Sequence, residues 1–129
     1  KSDSLPVMQA CVEGKLKEKN IALELYPQSA LGVVFAAKGY PESYPKGMEI
    51  TGIAAADALD DVKVFHAGTK AENGKILSNG GRILCVAALG ESLQEAKNKA
   101  YEAIGKIKME NSYYRRDIGD KGIKRLQNK

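Results

Sequence analysis

The sequence predicts an α+β fold, a small antiparallel sheet with flanking helices, on three observations. A helical apolar rhythm opens the chain, short apolar runs broken by glycine, proline and asparagine fill its middle, and a well-capped helical rhythm follows. Helix, a run of strands largely linked by hairpins, then helix is the order of an α+β domain. At 129 residues there is enough chain for one real core. The 43 % hydrophobic and 28 % charged content excludes wholesale disorder and a fibrous repeat.

Asp3 or Ser4 can cap a first helix whose apolar residues Leu5, Met8, Val12 and Leu16 recur at steps of three and four. Lys15, Lys17 and Lys19 suit its carboxyl end. Residues 20–29 carry Pro27 and read as a connection, with a domain boundary near 26–29. A buried strand is expected over 32–38, then a loop over 39–47 punctuated by two prolines and two glycines. Residues 48–53 suggest another strand, 54–61 a short helical or irregular connection, and 62–66 an alternating strand. Two further strands, 75–78 and 82–89, are expected to form a hairpin across Asn79-Gly80-Gly81, residues that accept positive φ cheaply. The closing helix has a capping box in Ser92 and Glu95 and a stripe of Leu93, Ala96, Ala100, Ile104 and Ile107.

Twenty basic against sixteen acidic residues leave a net charge of +4, which serves anionic small molecules as readily as nucleic acid. Lys121, Lys124, Arg125 and Lys129 belong to a terminal run, 120–129, that reads as a solvated, poorly ordered basic tail. Cys11 and Cys85 are far apart in apolar stretches, so a secreted disulfide scaffold is not expected and a reducing cytoplasmic setting is. The longest apolar runs, 31–37 and 83–89, are much shorter than the roughly 18 residues of a membrane helix. The chain shows no signal peptide, does not begin with methionine and opens inside a helical pattern, which predicts a piece of something longer.

For chemistry, a single histidine and two distant cysteines do not supply paired ligands for a zinc site, so no metal is expected. His66 can serve a proton or a ligand, or be a satisfied residue at a strand end. Residues 68–75 superficially resemble a phosphate loop, but five residues separate Gly68 from Gly74, and Ile76 stands where a magnesium-holding hydroxyl belongs. In Asn79-Gly80-Gly81-Arg82, adjacent glycines let backbone N–H groups converge on an anion that the Arg82 guanidinium can grip; a plain hairpin with an exposed arginine is the alternative. Gly68, Thr69 and Lys70 leave a second glycine corner, and the two corners together suggest one anionic pocket. No nucleophile or acid–base couple stands out, so binding groups are expected without a catalytic residue.

Several motifs in order then carry a resemblance: Gly32-Val33-Val34, Gly39-Tyr40-Pro41, Lys63-Val64-Phe65-His66-Ala67-Gly68-Thr69, Asn79-Gly80-Gly81-Arg82-Ile83-Leu84, Ala88-Leu89-Gly90 and Tyr114-Arg115-Arg116-Asp117-Ile118-Gly119. From residue 1 to about 119 the chain resembles the carboxyl-terminal part of the phosphoribosylamine-glycine ligase (glycinamide ribonucleotide synthetase) family. The resemblance implies the ATP-grasp superfamily and de novo purine biosynthesis. In that reaction ATP activates glycine as an acyl phosphate and the amine of 5-phosphoribosylamine displaces phosphate. It also implies that ATP and Mg (or Mn) are held by an upstream ATP-grasp half whose ligands precede this chain. The fragment alone would then bind no cofactor and be inactive.

By the same resemblance, residues 1–28 are the end of the ATP-grasp domain and 29–119 the ligase C-terminal domain, a small unit related to the hybrid motif of carboxylase-type enzymes. Gly80, Gly81 and Arg82 match the loop expected to hold the ribose phosphate, with His66, Gly68, Thr69 and Lys70 on a neighbouring wall. The expected partners are glycine, 5-phosphoribosylamine and the upstream half, with no nucleic acid and no membrane. An RNA-binding or scaffold domain on the same fold is the competing reading. It expects aromatic and basic residues interleaved over one sheet face, where only Phe35 and Phe65 lie in strands.

Overall fold

A computed structural model describes residues 1–128. Ten elements follow in order: α1 (Ser4–Val12), β1 (Ser29–Ala37), α2 (Ile53–Asp57), β2 (Val62–His66), β3 (Thr69–Glu72), β4 (Lys75–Ser78), β5 (Arg82–Gly90), α3 (Leu93–Lys106), β6 (Ser112–Tyr113) and α4 (Asp120–Gln127). Strands in the order β2-β5-β1-β6 make one antiparallel sheet, and β3 and β4 make a two-stranded arm.

Register explains the core. Leu31, Val33 and Phe35 of β1 stand opposite Ala88, Val86 and Leu84 of β5, while Val62 and Val64 of β2 pair with Ala88 and Val86. All are buried and share one face of the pleat, because side chains alternate along a strand. Helix α3 covers that face with Ala96, Ala100, Ala103 and Ile104, small residues that let it lie close. Ser92 Oγ accepts the Glu95 N–H at 3.1 Å, as expected of a cap, but the Glu95 carboxylate reaches one residue further back and accepts the Glu91 N–H at 2.9 Å. The opposite face of the sheet, carrying Gly32, Val34, Phe65 and Tyr113, is not covered by a helix, and Val34 and Phe65 are 42 % and 53 % exposed.

Four sequence expectations change. The segment 75–89 is not a hairpin: β4 pairs with β3, β5 pairs with β1 and β2, and 79–81 crosses between the sheets. The hairpin lies one strand earlier, at Asn73-Gly74, whose φ values of 50° and 74° give the double left-handed turn this dipeptide favours. Residues 48–53 form no strand, because Glu49 bridges to Leu77 and Thr51 to Lys108, so the segment changes partner within two residues. Helix α1 stops at Val12, short of Leu16, and its apolar stripe faces outward, with Leu5, Met8 and Val12 at least 63 % exposed; Lys15, Lys17 and Lys19 lie past its end. Residues 120–127 are helical where a solvated tail is expected; Asp120 and the pair Lys124 and Arg125 suit the two ends of the helix dipole, and Lys97 pairs with Asp120. Lys129 lies outside the described residues.

Candidate functional site

The two glycine corners meet. A Cβ on Gly68 would lie 2.5 Å from the Arg82 carbonyl oxygen and 2.9 Å from the Gly80 Cα, and one on Gly81 would run into the Tyr40 ring. Neither Gly80 nor Gly81 has a left-handed φ; Gly80 lies tight against the Gly68 backbone, and Gly81 leaves room for the Tyr40 ring. Asn79 N–H donates to the Gly68 carbonyl at 2.7 Å and Ala37 N–H to that of Gly81 at 2.8 Å, while the Gly80 and Gly81 N–H groups donate to no backbone carbonyl among the described residues. Gly81 is buried and Gly80 half-buried, and neither lines the recess on which Arg82 opens.

The side chains of the two corners do not share one pocket. His66 Nδ1 sits 2.9 Å from Thr69 Oγ1, and His66 lines a recess of about 580 Å³ with Asp57, Lys63, Glu49 and Lys75. Arg82 opens on another recess of about 270 Å³, which shares no lining residue with the first. Lys70 is turned along the arm to pair with Glu72.

In the His66 recess, Asp57 accepts from Lys63 Nζ at 2.7 Å and from the Val64 N–H at 2.8 Å. The Lys63 ammonium first, and the Val64 amide second, hold the Asp57 carboxyl below its ordinary value. Its contribution to stability is therefore complete above the unfolded value, near pH 4, and is lost as pH falls through the lower folded value. Asp57→Asn is expected to melt below the parent chain at pH 7, with the gap closing as both are acidified below about pH 4. A gap independent of pH in thermal melts would contradict this.

Around Arg82 the recess is built from residues the sequence reading left without a role. The outward positions Gly32, Val34 and Ala36 of β1 make its floor, and Tyr40, Tyr113, Tyr114 and Arg115 its walls. Arg115 is forked by Asp117, with Nε donating at 2.9 Å and Nη2 at 2.5 Å, and the Asp117 carboxylate keeps that guanidinium charged beyond its usual range. The Arg116 guanidinium lies 5.5 Å from the centre of the Tyr114 ring. Tyr101 Oη donates to the Arg115 carbonyl at 2.6 Å and accepts the Ile118 N–H at 3.3 Å, pinning this segment to α3. Unlike Arg115 and Arg116, Arg82 pairs with no carboxylate or ring among the described residues. The signal in the sequence was the Tyr114–Gly119 motif itself, whose aromatic and basic residues recur beside the glycine corner only after folding.

Among the described residues no three His, Cys, Asp or Glu side chains gather as a metal site, and residues 68–75 are strand and hairpin instead of a phosphate loop. Cys11 is exposed, Cys85 is half-buried, and both are unpaired. No described helix is long and apolar enough to cross a membrane.

Against known proteins, residues 30–121 match the family model for the phosphoribosylglycinamide synthetase C domain. A phosphoribosylamine–glycine ligase of Rhodopirellula baltica is 47 % identical over 95 % of this chain and 28 % of its own length. One of Synechocystis sp. is 50 % identical over 91 % of this chain and 27 % of its own. The crystal structure of a phosphoribosylamine–glycine ligase from Thermotoga maritima superposes with a TM-score of 0.68 at 36 % identity, covering 90 % of this chain and 28 % of that one. The chain thus spans little more than a quarter of the length of these relatives.

Proposed function

The chain belongs to the phosphoribosylglycinamide synthetase family, through its C domain, and from that premise we propose that it is the substrate-facing part of a ligase that joins glycine to 5-phosphoribosylamine with ATP, in de novo purine biosynthesis in the cytoplasm. The observation that carries the reading is the unpaired Arg82 guanidinium at the end of a glycine corner whose amides have no backbone acceptor. A phosphate held there gains charge-assisted hydrogen bonds of roughly 1.5 to 3 kcal/mol each. Fixing the phosphate fixes the reach of the amine at the other end of the sugar, which is what an amide-forming displacement needs to outrun water. His66, Gly68, Thr69 and Lys70 are assigned a neighbouring wall: Gly68 acts through its packing on Gly80, and His66 with Thr69 borders the second recess.

ATP and magnesium (or manganese) are assigned to the upstream ATP-grasp half, since the chain matches only the C domain and about a quarter of its relatives' length, and no step is drawn through them here. Residues 1–28 are proposed as the end of that half; the outward stripe of α1 supports this, since Leu5, Met8 and Val12 need a partner. Residues 29–119 are proposed as the hybrid-like C-terminal domain, with α4 appended. Of the strand aromatics open to the competing RNA reading, Phe35 is in the core and Phe65 and Tyr113 remain on the uncovered face.

Two assays test the proposal. The 129 residues with ATP, glycine and phosphoribosylamine are expected to form no glycinamide ribonucleotide. Substituted for the matching segment of the Rhodopirellula baltica ligase, they are expected to restore product formation. A folded chimera without activity, or turnover by the chain alone, would contradict it.

A further inference from the structure

Ala36 is the cross-strand partner of Arg82 on one side and of Tyr113 on the other. With strands about 4.8 Å apart, the cation and the ring flank a methyl-floored slot roughly 10 Å across. Tyr113 is 56 % exposed, and its ring packs on no other aromatic among the described residues, whereas Tyr40, Tyr44, Tyr101 and Tyr114 each neighbour another ring. Its place is fixed by backbone pairing with Ala36 and by the Tyr101-pinned segment that follows. The recess has a volume of about 270 Å³. That is more room than a phosphate needs and falls below the roughly 300 to 1,000 Å³ of sites that enclose larger ligands. An ion-only site would need no aromatic wall.

Resting on the Arg82 reading above, we infer that Tyr113 is a specificity-determining residue: the slot takes a phosphorylated pentose as a unit, with phosphate on Arg82 and the apolar C–H face of the sugar against the Tyr113 ring. Arg115 spends two of its five N–H donors on Asp117, which leaves Arg82 as the guanidinium of the recess with no carboxylate partner among the described residues. An exposed tyrosine beside an arginine also suits a protein contact, and the test separates the two.

Amide shifts of Gly80, Gly81, Arg82 and Tyr113 in the 129-residue chain would be followed with inorganic phosphate and with ribose 5-phosphate. Both are expected to bind, ribose 5-phosphate about fivefold more tightly, as burial of part of one ring face gives. Tyr113→Ala is expected to abolish that preference while leaving phosphate affinity unchanged, and Tyr113→Phe to retain it. Tyr113→Thr, which keeps strand propensity, replaces the alanine variant should that one unfold. Loss of the ring with the preference intact would overturn the assignment of Tyr113, as would equal affinity for the two probes in the parent chain. If neither probe moves these amides, or Arg82→Ala leaves both affinities unchanged, the Arg82 reading itself fails.

Discussion

Phe35→Ala is expected to cost about 3 to 5 kcal/mol of folding free energy, the range for truncating a buried phenylalanine. Phe35 is 1 % exposed and sits opposite Leu84 on the face that α3 covers. Its ring also stacks on Tyr114, with centroids 6.2 Å apart and planes at 22°, and Tyr114 is in turn 6.2 Å from Tyr101. The loss therefore has two parts, a cavity in the core and a missing support for the segment that walls the Arg82 recess. Set against a typical total of about 5 to 15 kcal/mol, it brings the domain close to unfolding at ambient temperature. Urea titration measures it directly, and Phe35→Leu, which refills most of the volume, is expected to recover more than half. A cost near 1 kcal/mol would mean that the ring is not the centre of the core.

Local signals were read well where the partner of a residue is close in sequence. The Ser92 cap and the Leu93 to Ile107 stripe of α3 are such cases, since a helix satisfies its backbone within itself and needs only one face covered. Strand pairing is not local, and there the reading failed. Adjacent glycines have the same composition whether they make a left-handed turn or let two backbones touch, so composition points to a hairpin at Gly80-Gly81, whereas the fold makes it at Asn73-Gly74. The stripe of α1 was legible as a helix face but not as an uncovered one. For the site, Gly80, Gly81 and Arg82 were legible because they are contiguous. The Tyr113 wall was not, because it reaches Arg82 only through their shared partner Ala36.

Arg82→Ala, placed in a ligase that carries this chain as its C domain, is expected to weaken phosphoribosylamine binding by roughly 2 to 3 kcal/mol, or about 30- to 150-fold. Folding is expected to change little, because the Arg82 side chain is exposed and pairs with no carboxylate among the described residues, while Gly68, Gly80 and Gly81 still shape the corner. The defect is expected to be selective, since ATP is assigned upstream and only the phosphate of phosphoribosylamine is assigned to Arg82. Arg82→Lys is expected to recover only part of it, because an ammonium cannot make the planar two-point contact. The decisive measurement is the set of Michaelis constants for the three substrates in the Arg82→Ala ligase, taken with its melting temperature. A large rise in the phosphoribosylamine constant, with those for ATP and glycine and the melting temperature nearly unchanged, is the predicted result. An unchanged phosphoribosylamine constant with a lowered melting temperature would contradict it and leave Arg82 a structural residue of the crossover between the two sheets.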